Sequence, residues 1–211
     1  MKITKYRHAC FVVEENNQSL VVDPGGWSTD FVVPQNVTVV VITHEHQDHL
    51  DTSHLTNIVA KNPDATIYAH ADVVAQLSTF RTQAVKSGEE ISVDRFTLEF
   101  FGGHHAVIAP DIPSIANLGV MVNDHLYYPG DSFVTPDKPV TVLALPVAAP
   151  WLKFSEVAHF VTTVRPQTVF PTHDAILSDE GQQLADRMVG GITQKVGARY
   201  ERLRNGVVTE L

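Results

Sequence analysis

Short apolar runs separated by polar turns recur along the chain and predict a protein rich in β-strands. The run at 37–42 consists almost entirely of Val and Ile, which predicts a buried strand. Residues 15–18 are polar and predict a tight turn between two early strands. The predicted strands are 3–7, 10–14, 19–22, 37–42, 66–69, 91–93, 96–101, 118–122, 126–128, 140–145, 168–170 and 207–208.

Four further segments have the spacing of amphipathic helices. In residues 50–61 the apolar positions Leu55, Ile58 and Val59 recur at helical intervals, and Asp51 or Thr52 is placed to cap the first turn. The other predicted helices cover 72–80, 155–164 and 179–188. Early strands, a mixed segment, a second group of strands and further α/β segments follow one another. This order predicts a layered α/β sandwich.

Composition narrows the classes of protein that fit this pattern. A length of 211 residues without an evident linker predicts one domain covering 1–211. No apolar run reaches the roughly 20 residues of a membrane span, and no secretory signal is visible at the start. A single cysteine, Cys10, favours a reducing cytoplasm. The formal net charge of −9 argues against a nucleic-acid partner.

A dense cluster of histidines follows the predicted strand at 37–42. Residues 43–49 read Thr-His-Glu-His-Gln-Asp-His, and imidazole and carboxylate are the ligands that zinc prefers. In an extended chain, residues two apart share a face, so His44, His46 and Asp48 can point the same way. On a helix they would diverge by about 200°. The pattern predicts a metal site, and a solvated histidine-rich turn is the alternative.

Four more motifs accompany this cluster, each where a predicted strand gives way to a loop. They are Asp23-Pro24, Gly102-Gly103-His104-His105, Pro129-Gly130-Asp131 and Pro171-Thr172-His173. With these motifs the chain resembles the metallo-β-lactamase-fold superfamily of metal-dependent hydrolases. The closest likeness is to its small single-domain branch, which includes L-ascorbate-6-phosphate lactonase-like proteins. The resemblance implies a four-layer αββα sandwich, in which helices flank two mixed β-sheets.

The same resemblance implies a complete set of metal ligands. One ion would be held by His44, His46 and His105, a second by Asp48, His49 and His173, and Asp131 would bridge the two. Asp131 and Asp48 are accordingly the predicted catalytic carboxylates. The family pattern Gly-Gly-x-His selects His105 over His104. The expected cofactor is Zn²⁺, as one or two ions, with Mn²⁺ or iron as alternatives.

Several residues near these motifs have two interpretations each. The resemblance places Asp23 where it would support a metal-binding histidine, and the alternative is that it caps a turn. His8 would form a structural hydrogen bond, or it would handle protons or contact substrate. His104 would be a supporting residue or simply exposed. Trp27 and Trp151 would wall a pocket or serve only in packing.

The resemblance implies a hydrolase in which a metal-bridging hydroxide attacks an ester-like bond. Lactones and phosphorylated sugar esters are the first expected substrates, followed by thioesters. Two divalent ions would leave the site with net positive charge, which favours an anionic small molecule. The alternatives are a mononuclear-iron oxidoreductase of the persulfide dioxygenase type, a phosphodiesterase or nuclease, and a non-catalytic metal-binding protein. A homo-oligomer stays an open alternative.

Overall fold

Two seven-stranded β-sheets form the framework of the computed structural model, which describes residues 1–211. The strands are β1 (Lys2–Lys5), β2 (Phe11–Glu15), β3 (Gln18–Val22), β4 (Val37–Ile42), β5 (Thr66–Ala69), β6 (Thr82–Ala84), β7 (Glu90–Val93), β8 (Phe96–Gly102), β9 (Leu118–Val122), β10 (Leu126–Tyr128), β11 (Val142–Pro146), β12 (Thr168–Thr172), β13 (Arg199–Tyr200) and β14 (Val208–Glu210). The first sheet has the order β14-β1-β2-β3-β4-β5-β6, and the second has the order β13-β12-β11-β10-β9-β8-β7.

Four helices cover the outer faces of the sheets: α1 (Thr52–Lys61), α2 (Ala71–Val74), α3 (Phe154–Val164) and α4 (Asp179–Lys195). The carboxylate of Asp51 caps α1 by accepting hydrogen bonds from the backbone N–H groups of Ser53 and His54, at 2.7 and 3.0 Å. Asp51 is therefore the cap, and Thr52 is the first helical residue. No helix offers an apolar stretch that could span a bilayer.

The first sheet is buried on both faces in its centre. On β4, Val39 and Val41 join the core between the two sheets, whereas Val40 and Ile42 point to the opposite face. That outer face packs against α1, whose Leu55 and Ile58 are fully buried. Removing such side chains from water stabilises the fold by roughly 1.5–3 kcal/mol each. The predicted buried strand at 37–42 is confirmed with the same bounds.

The second sheet repeats this arrangement with its own helices. Tyr128 on β10 faces the core between the sheets, and its neighbour Tyr127 faces outward. The outward face packs against Phe160 of α3 and Val189 of α4. The layers therefore follow the order helix, sheet, sheet, helix, and the expected αββα sandwich is confirmed.

The prediction of a helix over 72–80 is wrong in extent. The helix ends at Val74, and the chain then turns into β6, a short strand that pairs in parallel with β5. Val73 and Leu77 are both buried, as the apolar spacing predicts, but the residues after Val74 bury Leu77 through turns and not through a longer helix. The short edge strands β6 and β13 escaped prediction because their pairing depends on distant neighbours. Helix α4 continues to Lys195, past the predicted end at 188.

The direction of the strands collects several loops at one rim. Strand β9 is antiparallel to both β8 and β10, and β11 is parallel to both β10 and β12. Consequently β8, β10 and β12 all end at the same edge of the second sheet. A backbone hydrogen bond from Leu118 N to Thr43 O, 2.9 Å long, ties this edge to the end of β4 in the first sheet. The loops that follow these four strands carry the candidate site.

Candidate metal centre

Seven predicted ligands converge at this rim. Their ligand atoms form groups in which all atoms lie within 4.8 Å of one another: His44, His46 and His105; His44, His49 and Asp131; and Asp48, His49 and His173, together with His8. We call His44, His46 and His105 the histidine half, and Asp48, His49 and His173 the aspartate half. Asp131 lies between the halves, with its two oxygens 3.3 Å from His49 Nε2 and 3.4 Å from His105 Nε2.

The histidine cluster reaches the rim through a tight turn after β4. The backbone N–H groups of His49 and Leu50 both donate to His46 O, at 2.9 Å, which folds Asp48 and His49 back toward the centre. Gly25 packs directly against this turn, and a Cβ atom there would lie 1.9 Å from Asp48 O. Because no side chain fits this contact, the glycine after Asp23-Pro24 is required by packing.

Asp131 is positioned by a residue that the sequence did not single out. The side-chain amide of Asn117 accepts from Asp131 N at 2.9 Å and donates to Pro129 O at 2.9 Å. Gly130 between them has φ of +62°, and a Cβ there would lie 2.4 Å from Asn117 Oδ1. The sequence offers one weak signal for this role, an asparagine directly before a buried strand.

The loop with His173 is fixed by buried charges. His173 has a left-handed backbone with φ of +58°, which is strained for a residue with a Cβ atom. The next residue, Asp174, pairs with Lys5 at 3.3 Å and with Arg202. Burial by itself raises the pKa of Asp174, but the charges of Lys5 and Arg202 outweigh it and hold the pKa below its usual range. These ion pairs tie the loop to the first and last parts of the chain.

Backbone acceptors fix the tautomer of two histidines. His105 Nδ1 lies 2.6 Å from Ala106 O, and His173 Nδ1 lies 2.5 Å from Ala148 O. A carbonyl oxygen only accepts, so Nδ1 carries the proton in both rings. In the neutral form of each ring, Nε2 therefore presents a lone pair to the centre, as a metal-binding histidine must.

Asp23 sets the tautomer of two more histidines. Its Oδ2 accepts from His49 Nδ1 at 2.7 Å and from Thr43 Oγ1 at 2.6 Å. Since the Thr43 hydroxyl proton is used in this way, its oxygen accepts from His44 Nδ1 at 3.0 Å. Both rings again direct Nε2 to the centre. Asp23 thus supports the cluster directly, and it also holds Thr43 N at 2.8 Å.

The resulting atoms are buried without a partner. Nε2 of His44, His49, His105 and His173 and Oδ1 of Asp131 make no hydrogen bond. Leaving a buried polar atom unpaired costs roughly 1–3 kcal/mol, so five such atoms aimed at one place indicate a missing partner. His173 Nε2 lies 3.1 Å from Asp131 Oδ2, but the ring does not aim at that oxygen. Convergent imidazole and carboxylate groups of this kind fit divalent metal ions.

In the histidine half, burial keeps two of the imidazoles neutral. Burial lowers the pKa of His44 well below its usual range, and the nearby imidazoles of His49 and His105 add to this effect. Burial also lowers the pKa of His46, which is only half-buried. These rings are therefore unprotonated at neutral pH and ready to bind an ion.

Opposite charges dominate the aspartate half. Burial by itself lowers the pKa of His173, but the charge of Asp131 outweighs it and raises the pKa to about 10. Burial raises the pKa of Asp131, but the charges of His49 and His173 hold it well below its usual value. Burial likewise opposes the ionisation of Asp48, yet the close approach of His173 and the hydrogen bond from His8 lower its pKa. Without metal, protons therefore balance these carboxylates.

Trp151 contacts the centre with its polar atom. Its Nε1–H donates to Asp131 Oδ2 at 2.8 Å, and its ring meets Phe133 edge-on with centroids 5.2 Å apart. Trp151 therefore combines packing with a hydrogen bond that the sequence did not reveal. By contrast, His104 is exposed and takes no part in the groups of ligand atoms, whereas His105 is buried and does.

Two clefts flank the centre, one beside each half. The cleft beside the histidine half measures about 360 Å³ and is lined by Glu45, His70, Asp72, Val73, Gly103, His104, Ser114, Ile115 and Ala116. The cleft beside the aspartate half measures about 290 Å³ and is lined by Arg7, Gly26, Trp27, Thr29, Ala175 and Ile176. The first is rich in hydrogen-bond acceptors, and the second combines a cation with apolar surface.

Comparisons with known proteins agree with this geometry. Residues 2–173 match the family described as the beta-lactamase superfamily domain. Protein Rv0786c of Mycobacterium tuberculosis is 36% identical over 187 residues, which are 86% of this chain and 88% of that protein. A metal-dependent hydrolase of Methanocaldococcus jannaschii is 24% identical over 81% of this chain and 83% of its own length.

A solved structure extends the likeness to the whole chain. Igni18, a metallo hydrolase from Ignicoccus hospitalis, superposes with a TM-score of 0.77 at 19% identity, over 100% of this chain and 98% of that one. At this identity the likeness speaks for the fold alone. The fold is that of the metallo-β-lactamases, and the chain belongs to the beta-lactamase superfamily.

Proposed function

We propose that this protein is a metal-dependent hydrolase that cleaves ester-like bonds in small anionic molecules. The observation that carries the proposal is the set of buried, unpartnered Nε2 and carboxylate atoms that point into one space. In this assignment the histidine half holds one ion, the aspartate half holds a second, and Asp131 is shared. Zinc is the expected metal because imidazole and carboxylate ligands suit it. A relative named as a metal-dependent hydrolase supports the same assignment.

When bound, the ions would supply an activated hydroxide near neutral pH and positive charge to stabilise the developing oxyanion. The residues of the chain determine where this chemistry happens. Asp131 holds the two halves together, and Trp151 keeps the Asp131 carboxylate in place by donating to Oδ2. Asp23 keeps the rings of His44 and His49 turned toward the centre, directly and through Thr43. No separate protein base is required for the attack.

The two clefts support a polar, anionic substrate. Arg7, beside the aspartate half, can pair with a phosphate or carboxylate, and Trp27 offers an apolar surface next to it. Glu45 and Asp72, beside the histidine half, can accept hydrogen bonds from hydroxyl groups. A lactone or a phosphorylated sugar ester has groups of both kinds. We therefore place these substrates first and thioesters second.

The organisation of the chain supports action as one domain of residues 1–211. The largest apolar cluster contains residues of both sheets, such as Val39 and Val120, so the two sheets share one core between them. Cytoplasmic location stays a prediction that rests on the single cysteine, which is buried as a free thiol.

The proposal is tested by elemental analysis of the purified protein together with a substrate panel. The panel contains lactones, phosphorylated sugar esters, thioesters and phosphodiesters, each assayed before and after chelation. We expect about two zinc ions per chain, hydrolysis of an ester-like substrate, loss of activity on chelation, and recovery with Zn²⁺ alone. The variant Arg7→Gln should raise KM for anionic substrates about tenfold and leave kcat nearly unchanged, because Arg7 contacts no predicted ligand.

Two results would contradict the proposal. One is a zinc-loaded protein that hydrolyses nothing on the panel while its His46→Ala variant retains the same metal content. The other is a single iron per chain with oxygen consumption on a persulfide substrate, which would establish the oxidoreductase alternative. The panel also tests the nuclease alternative, since phosphodiester cleavage without ester cleavage would favour it.

A further inference from the structure

His8 lies beside the aspartate half without belonging to the predicted ligand set. It is fully buried, and its φ of +66° is uncommon for a residue with a Cβ atom. Its ring centroid lies 4.0 Å from that of His173 and 4.8 Å from that of Trp27. Its Nε2 falls among the atoms of Asp48, His49 and His173 that are close enough to share an ion. By position alone, His8 could be a ligand.

The hydrogen bonds of His8 give it a different tautomer from four of the predicted ligands. The backbone N–H of Ala175 donates to His8 Nδ1 at 3.3 Å. An N–H group can donate only to an unprotonated ring nitrogen, so the proton of neutral His8 is on Nε2. In the neutral rings of His44, His49, His105 and His173 the proton is on Nδ1 instead. His8 therefore presents a donor where those rings present a lone pair.

This donor meets the carboxylate of the aspartate half. His8 Nε2–H donates to Asp48 Oδ2 at 3.0 Å, and the same oxygen lies 3.5 Å from His173 Nε2 and 3.7 Å from His49 Nε2. The Asp48 side chain sits on a turn, is 14% exposed, and accepts its one hydrogen bond from His8. His8 itself is held by the backbone, because His173 N donates to His8 O at 3.1 Å.

We propose that His8 is a positioning residue that directs Asp48 Oδ2 to the ion of the aspartate half and is not itself a ligand. The inference rests on the proposed two-ion site. Residues that hold a metal ligand in place change metal affinity by about 10- to 100-fold when removed. The loss of affinity should be confined to the ion of the aspartate half, because His8 is not grouped with the ligand atoms of the histidine half.

The test compares two variants of similar size with different hydrogen-bonding capacity. His8→Leu fills the space without a donor, whereas His8→Gln places an amide N–H near the position of Nε2. Both place a Cβ residue at the same positive φ, and both lose the acceptor for Ala175, so these effects cancel in the comparison. The metal-free full-length protein and both variants are titrated with Zn²⁺ by calorimetry at fixed pH, after equal helical content is verified by circular dichroism.

We expect His8→Leu to bind its second Zn²⁺ about 10- to 100-fold more weakly while its first binds as in the wild type. His8→Gln should recover most of this loss. The inference is overturned if His8→Leu binds both ions normally, if His8→Gln is as impaired as His8→Leu, or if both ions weaken equally. A variant that fails to fold also overturns it, since His8 would then act in folding. A wild-type protein that binds a single ion would contradict the proposed two-ion site as well. Failure of the His8 inference alone is therefore distinguishable from failure of the proposed function.

Discussion

The two halves of the centre differ in the charge that they carry before an ion arrives. In the histidine half, burial lowers the pKa of His44 and His46, and these two rings are neutral. In the aspartate half, the carboxylate of Asp48 is ionised, as is that of the shared Asp131, and the pKa of His173 is raised to about 10. The histidine half therefore offers uncharged nitrogen lone pairs, whereas the aspartate half contains ion pairs.

This difference predicts an order of loading. An ion entering the histidine half meets neutral donors and displaces little. An ion entering the aspartate half must replace the protons that balance the carboxylates, and it binds only if Asp48 stays in position. The halves should thus differ in pH dependence and in sensitivity to supporting residues. Four changes test this comparison, beginning with the residue that the halves share.

The largest expected effect comes from Asp131→Ala, which removes the group between the halves. Turnover of the best ester-like substrate should fall by about 1,000-fold or more, because both the shared ligand and the placement of the ions are lost. Elemental analysis should find less than two ions per chain, with the aspartate half emptied first. Circular dichroism should be unchanged, since Asp131 lies on a loop beyond β10.

Asp137→Ala is the matched control for this change. Asp137 is an exposed carboxylate on the same loop and belongs to none of the groups of ligand atoms. Its loss should leave turnover and metal content within twofold of the wild type. If Asp131→Ala kept both ions and full activity, Asp131 would have no role in joining the halves.

The second effect is the pH dependence of metal affinity. Because metal-free His173 has a pKa of about 10, it carries a proton at neutral pH, and an ion must displace that proton. Affinity of the aspartate half should therefore rise about tenfold per pH unit, or about 100-fold from pH 6 to pH 8. The histidine half should change little over this range, because the pKa values of His44 and His46 are lowered.

Calorimetric titrations with Zn²⁺ in buffers of different ionisation enthalpy measure both affinities and the protons released. About one proton should leave with the second ion and fewer with the first. If affinity changed equally with pH for both ions, or changed only for the first ion, the halves would not differ as their charges indicate.

The fold was predictable from the sequence where the signal was local. Apolar spacing predicts strand β4 and helix α1, and both are present close to the predicted bounds. The seven candidate ligands were also visible, because each stands in a short motif at a strand end. The edge strand β6 was missed because three residues carry little signal and their pairing partner is distant in sequence.

The supporting residues could not be predicted, because their roles arise from contacts between remote segments. His8 and Ala175 are 167 positions apart, and Asn117 before β9 meets Asp131 after β10 at the open end of that hairpin. A single histidine or asparagine gives no indication of what will lie beside it. The tautomer of His8, which distinguishes it from the predicted ligands, follows from one backbone N–H group.

The third effect concerns Asp23, which supports both halves unequally. In Asp23→Asn, the amide oxygen can still accept from Thr43 N, but the NH2 group in the place of Oδ2 can accept from neither Thr43 Oγ1 nor His49 Nδ1. Since His49 contacts Asp23 directly and His44 only through Thr43, the aspartate half should lose about 10- to 100-fold in affinity. The histidine half should lose less, and the same two-ion titration measures both.

The control is Asp30→Asn, which alters an exposed carboxylate nearby. Asp30 Oδ1 accepts from Arg7 N at 2.8 Å and touches neither half. An amide oxygen can replace it there, so both affinities should be unchanged. Equal losses in the two halves of Asp23→Asn would indicate general destabilisation of the rim rather than support of His49.

The smallest effect is expected for Trp151→Phe. This variant tests whether weaker positioning of the Asp131 carboxylate lowers kcat and metal affinity while Asp131 itself is retained. Phenylalanine keeps an aromatic ring against Phe133 but lacks the N–H that donates to Asp131 Oδ2. A single hydrogen bond of this kind contributes about 0.5–1.5 kcal/mol, so kcat should fall by about three- to tenfold. Oδ2 is the oxygen nearest to both His105 and His173, at 3.4 and 3.1 Å, so the change should weaken both ions by a similar factor. A loss confined to one ion would mean that Trp151 acts on that half alone, and an unchanged kcat would reduce it to a packing residue.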